Sequence, residues 1–173
     1  VQDRYPVELV VQDKDGGRAV VAIVVNVLNV APRAGDVDDQ GDFQEGALEL
    51  LTRAADRVEG SNIWFRGAGS DTPGDDLSYI WTAWRDAGQS CAELQGGQPL
   101  AQQSGLNLRE VGFTFGDNGD YLVCLVVRDE AQEDSPPASG RVTLINVAPT
   151  ASAGDERVAA EGEAIVLEGA GQD

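Results

Sequence analysis

One segment of this chain is written twice. Tyr5, Val7, Leu9, Val10, Val11 and Asp13 recur as Tyr121, Val123, Leu125, Val126, Val127 and Asp129. Asn29-Val30-Ala31-Pro32 then recurs as Asn146-Val147-Ala148-Pro149, with one extra residue between the anchors in the later copy. A second pair fixes the period: Glu59-Gly60, Ile63, Gly67-Ala68-Gly69 and Asp71 return as Glu161-Gly162, Ile165, Gly169-Ala170-Gly171 and Asp173. Copies this similar are the same supersecondary unit, so the repeat outranks any single residue. The expected organisation is the closing hairpin of one unit at residues 1–30, a complete unit at 31–147 and the opening strands of a third at 148–173.

Local pattern assigns the unit to β structure. Tyr5, Val7, Leu9 and Val11 alternate with Pro6, Glu8, Val10 and Gln12, the period of a half-buried strand. Asp13 to Gly17 supplies turn chemistry, and the β-branched run Val20 to Val27 returns as the hairpin partner. In the later copy the first face stays apolar while Glu8 becomes Cys124 and Gln12 becomes Arg128, so the second face is expected toward solvent, with Cys124 pointing outward. Pro32 and Pro149 close their strands, because proline cannot donate to a ladder. The two Asn-Val-Ala-Pro segments are therefore short joints.

Inside the complete unit, Ser61 to Phe65 is a strand with Ile63 and Phe65 on one side. Leu77, Tyr79 and Trp81 alternate inward on another, and Val111, Phe113 and Phe115 on a third. Trp81 is the expected centre of a core shared with Tyr79, Tyr121, Val123, Leu125 and Val127. Residues 85–110 should hold an edge strand and loops. From Pro32 to Glu59 the chain is fifteen residues longer than from Pro149 to Glu161. Within this insert, near residues 35–58, Leu48, Leu51, Ala55 and Val58 fall at helical spacing, which favours a short helix. The alternative is a strand opened by Glu45-Gly46, like the Glu-Gly elsewhere. Strands at this density describe an all-β, immunoglobulin-like antiparallel sandwich.

Charge narrows the partners. Thirty acidic residues against twelve basic give −18, which repels phosphate backbones and anionic lipid. Nucleic acid is excluded as an expected partner, and no apolar run is long enough for membrane insertion. The chain has no histidine, which removes Ser-His and Cys-His pairs and the commonest zinc ligand. No catalytic residues are expected. Cys91 and Cys124 are either one disulfide, tying the polar 85–110 loop to the Tyr121 strand, or two free thiols. Trp64 and Trp84 are candidate binding-surface aromatics for a glycan or protein, although Trp64 has the insert as an alternative contact.

These elements resemble the polycystic-kidney-disease (PKD) repeat family. The resemblance is carried by Glu59-Gly60, Gly67-Ala68-Gly69-Ser70-Asp71, the acidic turn Asp71 to Asp76, Leu77-x-Tyr79-x-Trp81, Asp117-Asn118-Gly119-x-Tyr121, Val123-x-Leu125-x-Val127-x-Asp129 and Asn146-Val147-Ala148-Pro149. One departure is that Trp81 is followed by Thr82-Ala83-Trp84 and a cysteine-bearing loop, where many members continue with Phe-Gly-Asp-Gly. The resemblance implies tandem sandwiches on extracellular or cell-surface proteins, with neighbouring repeats of the same protein as first partners. It also strengthens a Ca²⁺ expectation, with Asp71, Asp75 and Asp76 on one turn joined by Asp129, against the alternative of a solvated, Asx-bonded turn. The function expected is a non-catalytic structural or adhesive module of a surface array or filament, in which half units of different chains can pair. The alternative is an accessory carbohydrate- or protein-binding module of a secreted hydrolase.

Overall fold

Residues 3–172 are described by the computed structural model; Asp173, the counterpart of Asp71, lies outside them. Strands β1 (Asp3–Gln12) and β2 (Arg18–Val27) form a hairpin. The central body then runs β3 (Arg33–Val37), β4 (Phe43–Glu45), β5 (Glu49–Leu50), β6 (Asn62–Arg66), β7 (Ala68–Ser70), β8 (Ser78–Arg85), α1 (Cys91–Leu94), β9 (Ala101–Leu106), β10 (Glu110–Thr114), β11 (Gly119–Arg128) and β12 (Ala138–Leu144). Strands β13 (Thr150–Ser152) and β14 (Ala170–Gln172) follow.

One layer of the central body is the four-stranded sheet β12-β11-β8-β9. The facing layer comprises β10-β6-β5 and β4-β3-β7, and every paired strand is antiparallel. Alternating side chains from both layers meet in one core containing Ile63, Phe65, Tyr79, Trp81, Phe113, Tyr121, Val123, Leu125 and Val127. Each large apolar side chain buried there contributes about 1.5–3 kcal/mol. Trp81 and Tyr79 carry hydrogen-bonded polar atoms into the core: Trp81 Nε1 donates to the Leu108 carbonyl at 2.8 Å, and the Gly69 N–H donates to Tyr79 Oη at 2.8 Å. Tyr121 Oη donates back to the Asp117 carbonyl at 2.7 Å, the tyrosine corner of an immunoglobulin-like sandwich.

The insert is not helical. Phe43–Glu45 and Glu49–Leu50 form β4 and β5, and only Ala54–Asp56 makes a single 3₁₀ turn. Leu51 N–H donates to the Trp64 carbonyl, Leu48 N–H to the Ser139 carbonyl and Ser139 N–H to the Gly46 carbonyl. Those free strand edges, together with the kink at Gly46 (φ +80°), capture the segment and override its helical spacing. Leu48, just before β5, and Leu50 within it pack against the core.

Matching segments also pair alike. Tyr5 faces Val25 and Val7 faces Ile23 in the hairpin, as Tyr121 faces Val142 and Val123 faces Gly140 in β11 and β12. Thr150, Ala151 and Ser152 face Gln172, Gly171 and Ala170 as Arg33, Ala34 and Gly35 face Ser70, Gly69 and Ala68. Asp13 and Asp129 open the same turn, each donating from its N–H to the carbonyl four residues on and accepting that residue's N–H on Oδ1.

Candidate functional site: a roofed groove and two joints

On the outer face of the four-stranded sheet, the polar 86–100 segment folds back over β11. Cys91 and Cys124 are joined, with Cα atoms 5.8 Å apart. The single turn α1 is fixed by a capping box: Ser90 N–H and Oγ both donate to the Glu93 carboxylate, at 2.7 and 2.8 Å. The Ser90 N–H holds the Glu93 carboxyl below the usual carboxylate range. Arg141 on β12 ties the base of the loop through Asp86 at 2.6 Å and the Gln89 carbonyl at 3.0 Å. Asp86 is likewise lowered, first by the Gly88 N–H and then by Arg141.

This roof corrects one expectation. The second face of β11 is not open to solvent, since Leu122 and Cys124 are buried beneath the loop with Trp84 and Leu94 packed against them. Beside the roof lies a groove of about 620 Å³ with a floor of Ile80, Trp84 and Val126 and a rim including Gln95 and Gln102. Trp84 Nε1 donates to Thr82 Oγ1 at 3.0 Å, which fixes the ring against the sheet. The groove's charged lining residues, Arg128 and Asp134, form a two-pronged pair at 2.6 and 2.9 Å that keeps Arg128 more firmly protonated than usual.

Trp64 does not join this surface. It stands half-exposed on the outer side of β6, in the facing layer, beside Leu51, Thr52 and Glu110. Its backbone N–H donates to Thr52 Oγ1 at 2.7 Å, so the insert is its neighbour.

The acidic residues divide similarly. Asp75 and Asp76 are exposed on the turn, while Asp71 Oδ1 accepts the Thr72 N–H at 2.7 Å. Asp129 is buried, and its two oxygens accept Asn29 Nδ2 at 2.6 Å and the Glu133 N–H at 2.9 Å. Burial pushes its carboxyl up, but the hydrogen bonds from Asn29 and the following backbone outweigh this and leave it below the ordinary range. Among the described residues, no three His, Cys, Asp or Glu side chains converge as a metal site requires. Asp71 Oδ2 is buried without a hydrogen-bond partner.

Asn29 and Asp129 together form a joint that the repeat did not announce by its chemistry, since Asn29 belongs to the Asn-Val-Ala-Pro segment and Asp129 to the end of β11. The second joint is built on Glu59, whose carboxylate accepts the Val147 N–H at 2.6 Å and the Asn118 N–H at 2.9 Å. The repeated Asn, Glu and Asp in the sequence were the available signal.

A scan against protein families finds no match, and a search of curated proteins finds none either. Among solved structures, the chain is similar to the fibronectin(III)-like modules of Clostridium thermocellum CbhA, with TM-score 0.42 and 13% identity over 84% of this chain. It spans 64% of the length of that chain. It is also similar to the PKD domain of a peptidase from a Thermoplasmatales archaeon, with TM-score 0.41 and 17% identity, covering 68% of this chain and 98% of that one. Among the described residues, no helix is long and apolar enough to cross a membrane, which says nothing of a β-barrel.

Proposed function

We propose that this chain is a non-catalytic structural segment of a tandem array of sandwiches displayed outside the cell or at its surface, giving reach to whatever the array carries. The observation that carries this reading is the Asn29–Asp129 hydrogen bond, which ties the hairpin's exit to the central sandwich across 100 residues of sequence. A joint of four residues, held at one end by Asn29 and at the other end of the body by Glu59, leaves neighbouring units little freedom. The Cys91–Cys124 bridge supports an oxidising compartment, and the −18 charge supports a highly solvated surface. Solution scattering tests the stiffness: Asn29→Ala should broaden the distribution of hairpin-to-sandwich distances. An unchanged profile would remove the latch from the account.

The groove over Trp84 favours a second reading, an accessory module that binds an uncharged polysaccharide. Its floor is aromatic and aliphatic, its rim carries amides, and its two lining charges cancel each other. Retention on a neutral polysaccharide gel, lost in Trp84→Ala and kept in Trp64→Ala, would support it; equal migration of all three proteins would reject it.

A further inference from the structure

Among the described residues, the edge strands of the central body are guarded with one exception. The outer side of β12 is occupied by the insert: Ser139 exchanges hydrogen bonds with Gly46 and Leu48, and Ile145, just past the strand, with Arg57 and Glu59. The edge strands β4, β5 and β7 are three residues long or shorter. Strand β10 is charged at Glu110, and its Gly112 carbonyl is capped by Gln103 Nε2 at 2.8 Å. Short, charged or covered edges are how a sheet avoids taking on another strand. Strand β9 has six residues, carries no charge and ends the four-stranded sheet, and among the described residues no strand pairs with its outer side. It lies inside the central unit, between β8 and β10 in sequence.

Charge and register fit this edge to its own kind. Gln95 to Leu108 holds no charged residue, in a chain whose charged fraction is 24% and whose net charge is −18. Two copies can meet along such a strip without opposing like charges, which so acidic a surface otherwise forbids. Asn107 N–H donates to the Leu77 carbonyl, and antiparallel alternation from that pair turns the backbone groups of Ala101, Gln103 and Gly105 toward β8. Those of Gln102, Ser104 and Leu106 point to the open side. Leu100 and Leu106 flank the strand, 61% and 66% exposed, and stand equally far in sequence on either side of Gln103. A two-fold axis through Gln103 therefore sets Leu106 of each copy at the Leu100 end of the other and pairs Gln102 with Ser104.

We propose that two copies of this chain pair side by side, β9 to β9 and antiparallel, joining their four-stranded sheets into one continuous sheet. The backbones of Gln102 and Ser104 exchange hydrogen bonds across the axis, and Leu100 and Leu106 cover one another at its two ends. The symmetric placing of those leucines selects a second copy over an unrelated extended segment. Because the same surface serves on both copies, the contact closes as a dimer and goes no further. A single strand pair is a small interface, which makes the dimer weak and reversible. The inference rests neither on the tandem-array reading nor on the groove.

Sedimentation of the 173-residue chain up to about 1 mM tests it, with mass rising reversibly from one copy to two. Over the same range, amide exchange should slow at Gln102 and Ser104. Ser104→Pro removes an N–H that β8 does not use, so it should keep the near-ultraviolet dichroism of the buried Trp81 and weaken association by more than about 10-fold. Leu106→Asp should weaken it similarly without altering the backbone, by placing a charge in the apolar contact. Gln103→Cys, treated with oxidised glutathione, should give a covalent dimer, because the axis brings its two copies together. A mass of one copy throughout the range would overturn the proposal and leave the joint and groove experiments untouched. A dimer that Ser104→Pro leaves as strong would also overturn it, as would exchange that slows at Val7 and Leu9 in place of Gln102 and Ser104. So would an edge that takes up an unrelated extended peptide while the chain itself stays monomeric.

Discussion

Removing the Cys91–Cys124 bridge should measure how much of the central sandwich depends on the roof over β11. The bridged residues are 33 apart in sequence. In the chain-entropy description, closing a loop of that size lowers the entropy of the unfolded chain enough to stabilise the fold by about 3.7 kcal/mol. The rest of the loop is held by the Ser90–Glu93 box and by Arg141, all at exposed positions that add little. For a sandwich of this size the loss corresponds to a fall in Tm of roughly 10–20 °C. The experiment compares the oxidised protein with Cys91→Ala/Cys124→Ala by thermal and urea unfolding. Because the effect acts mainly on the unfolded chain, the variant should also show a larger urea m-value. A Tm within about 3 °C of the parent, or quantitative thiol labelling of the native unreduced protein, would refute this reasoning.

Other outcomes follow from the same geometry. Gly67→Ala should cost about 1–3 kcal/mol in urea unfolding, because its methyl would press on Leu125, Leu48 and Trp81 in a filled core. Asp129 contributes stability through a carboxyl lowered in the folded state; that contribution is fully present above the unfolded Asp value near ~4 and disappears as pH falls through the lower folded value. Asp129→Asn should therefore flatten the acid limb of the stability profile, and a parallel profile would contradict the role given to Asn29. With Asp71 held by the Thr72 N–H and Asp129 by Asn29 and Glu133, melting midpoints in millimolar CaCl₂, MgCl₂ and chelator should coincide; a calcium-specific rise would assign the cation to the Asp71 to Asp76 turn.

The inward pattern was legible because it is local. Tyr121, Val123, Leu125 and Val127 alternate strictly, and each is buried where the alternation puts it. Leu122 and Cys124 were not, since the cover over their face comes from residues some thirty positions earlier. The only sequence trace of that cover was the lone cysteine pair. Leu48, Leu51, Ala55 and Val58 misled for a different reason. An irregular edge segment kinked at Gly46 brings the same spacing as a helix, and the free edges of β6 and β12 decide between them. The groove at Trp84 was visible only as an aromatic outside the core alternation, and the Asn29–Asp129 contact only as two residues kept in both copies.

The most direct measurement places a copy of residues 33–118, with its Cys91 changed to alanine because Glu8 stands where Cys124 would meet it, ahead of Asp3. Amide exchange then reports on the hairpin. If β1 and β2 are the counterparts of β11 and β12, the amides of Val7, Leu9 and Val11 should become as protected as those of Val123, Leu125 and Val127, and a second cooperative unfolding transition should appear. A hairpin that still exchanges freely, with one transition as before, would contradict the account.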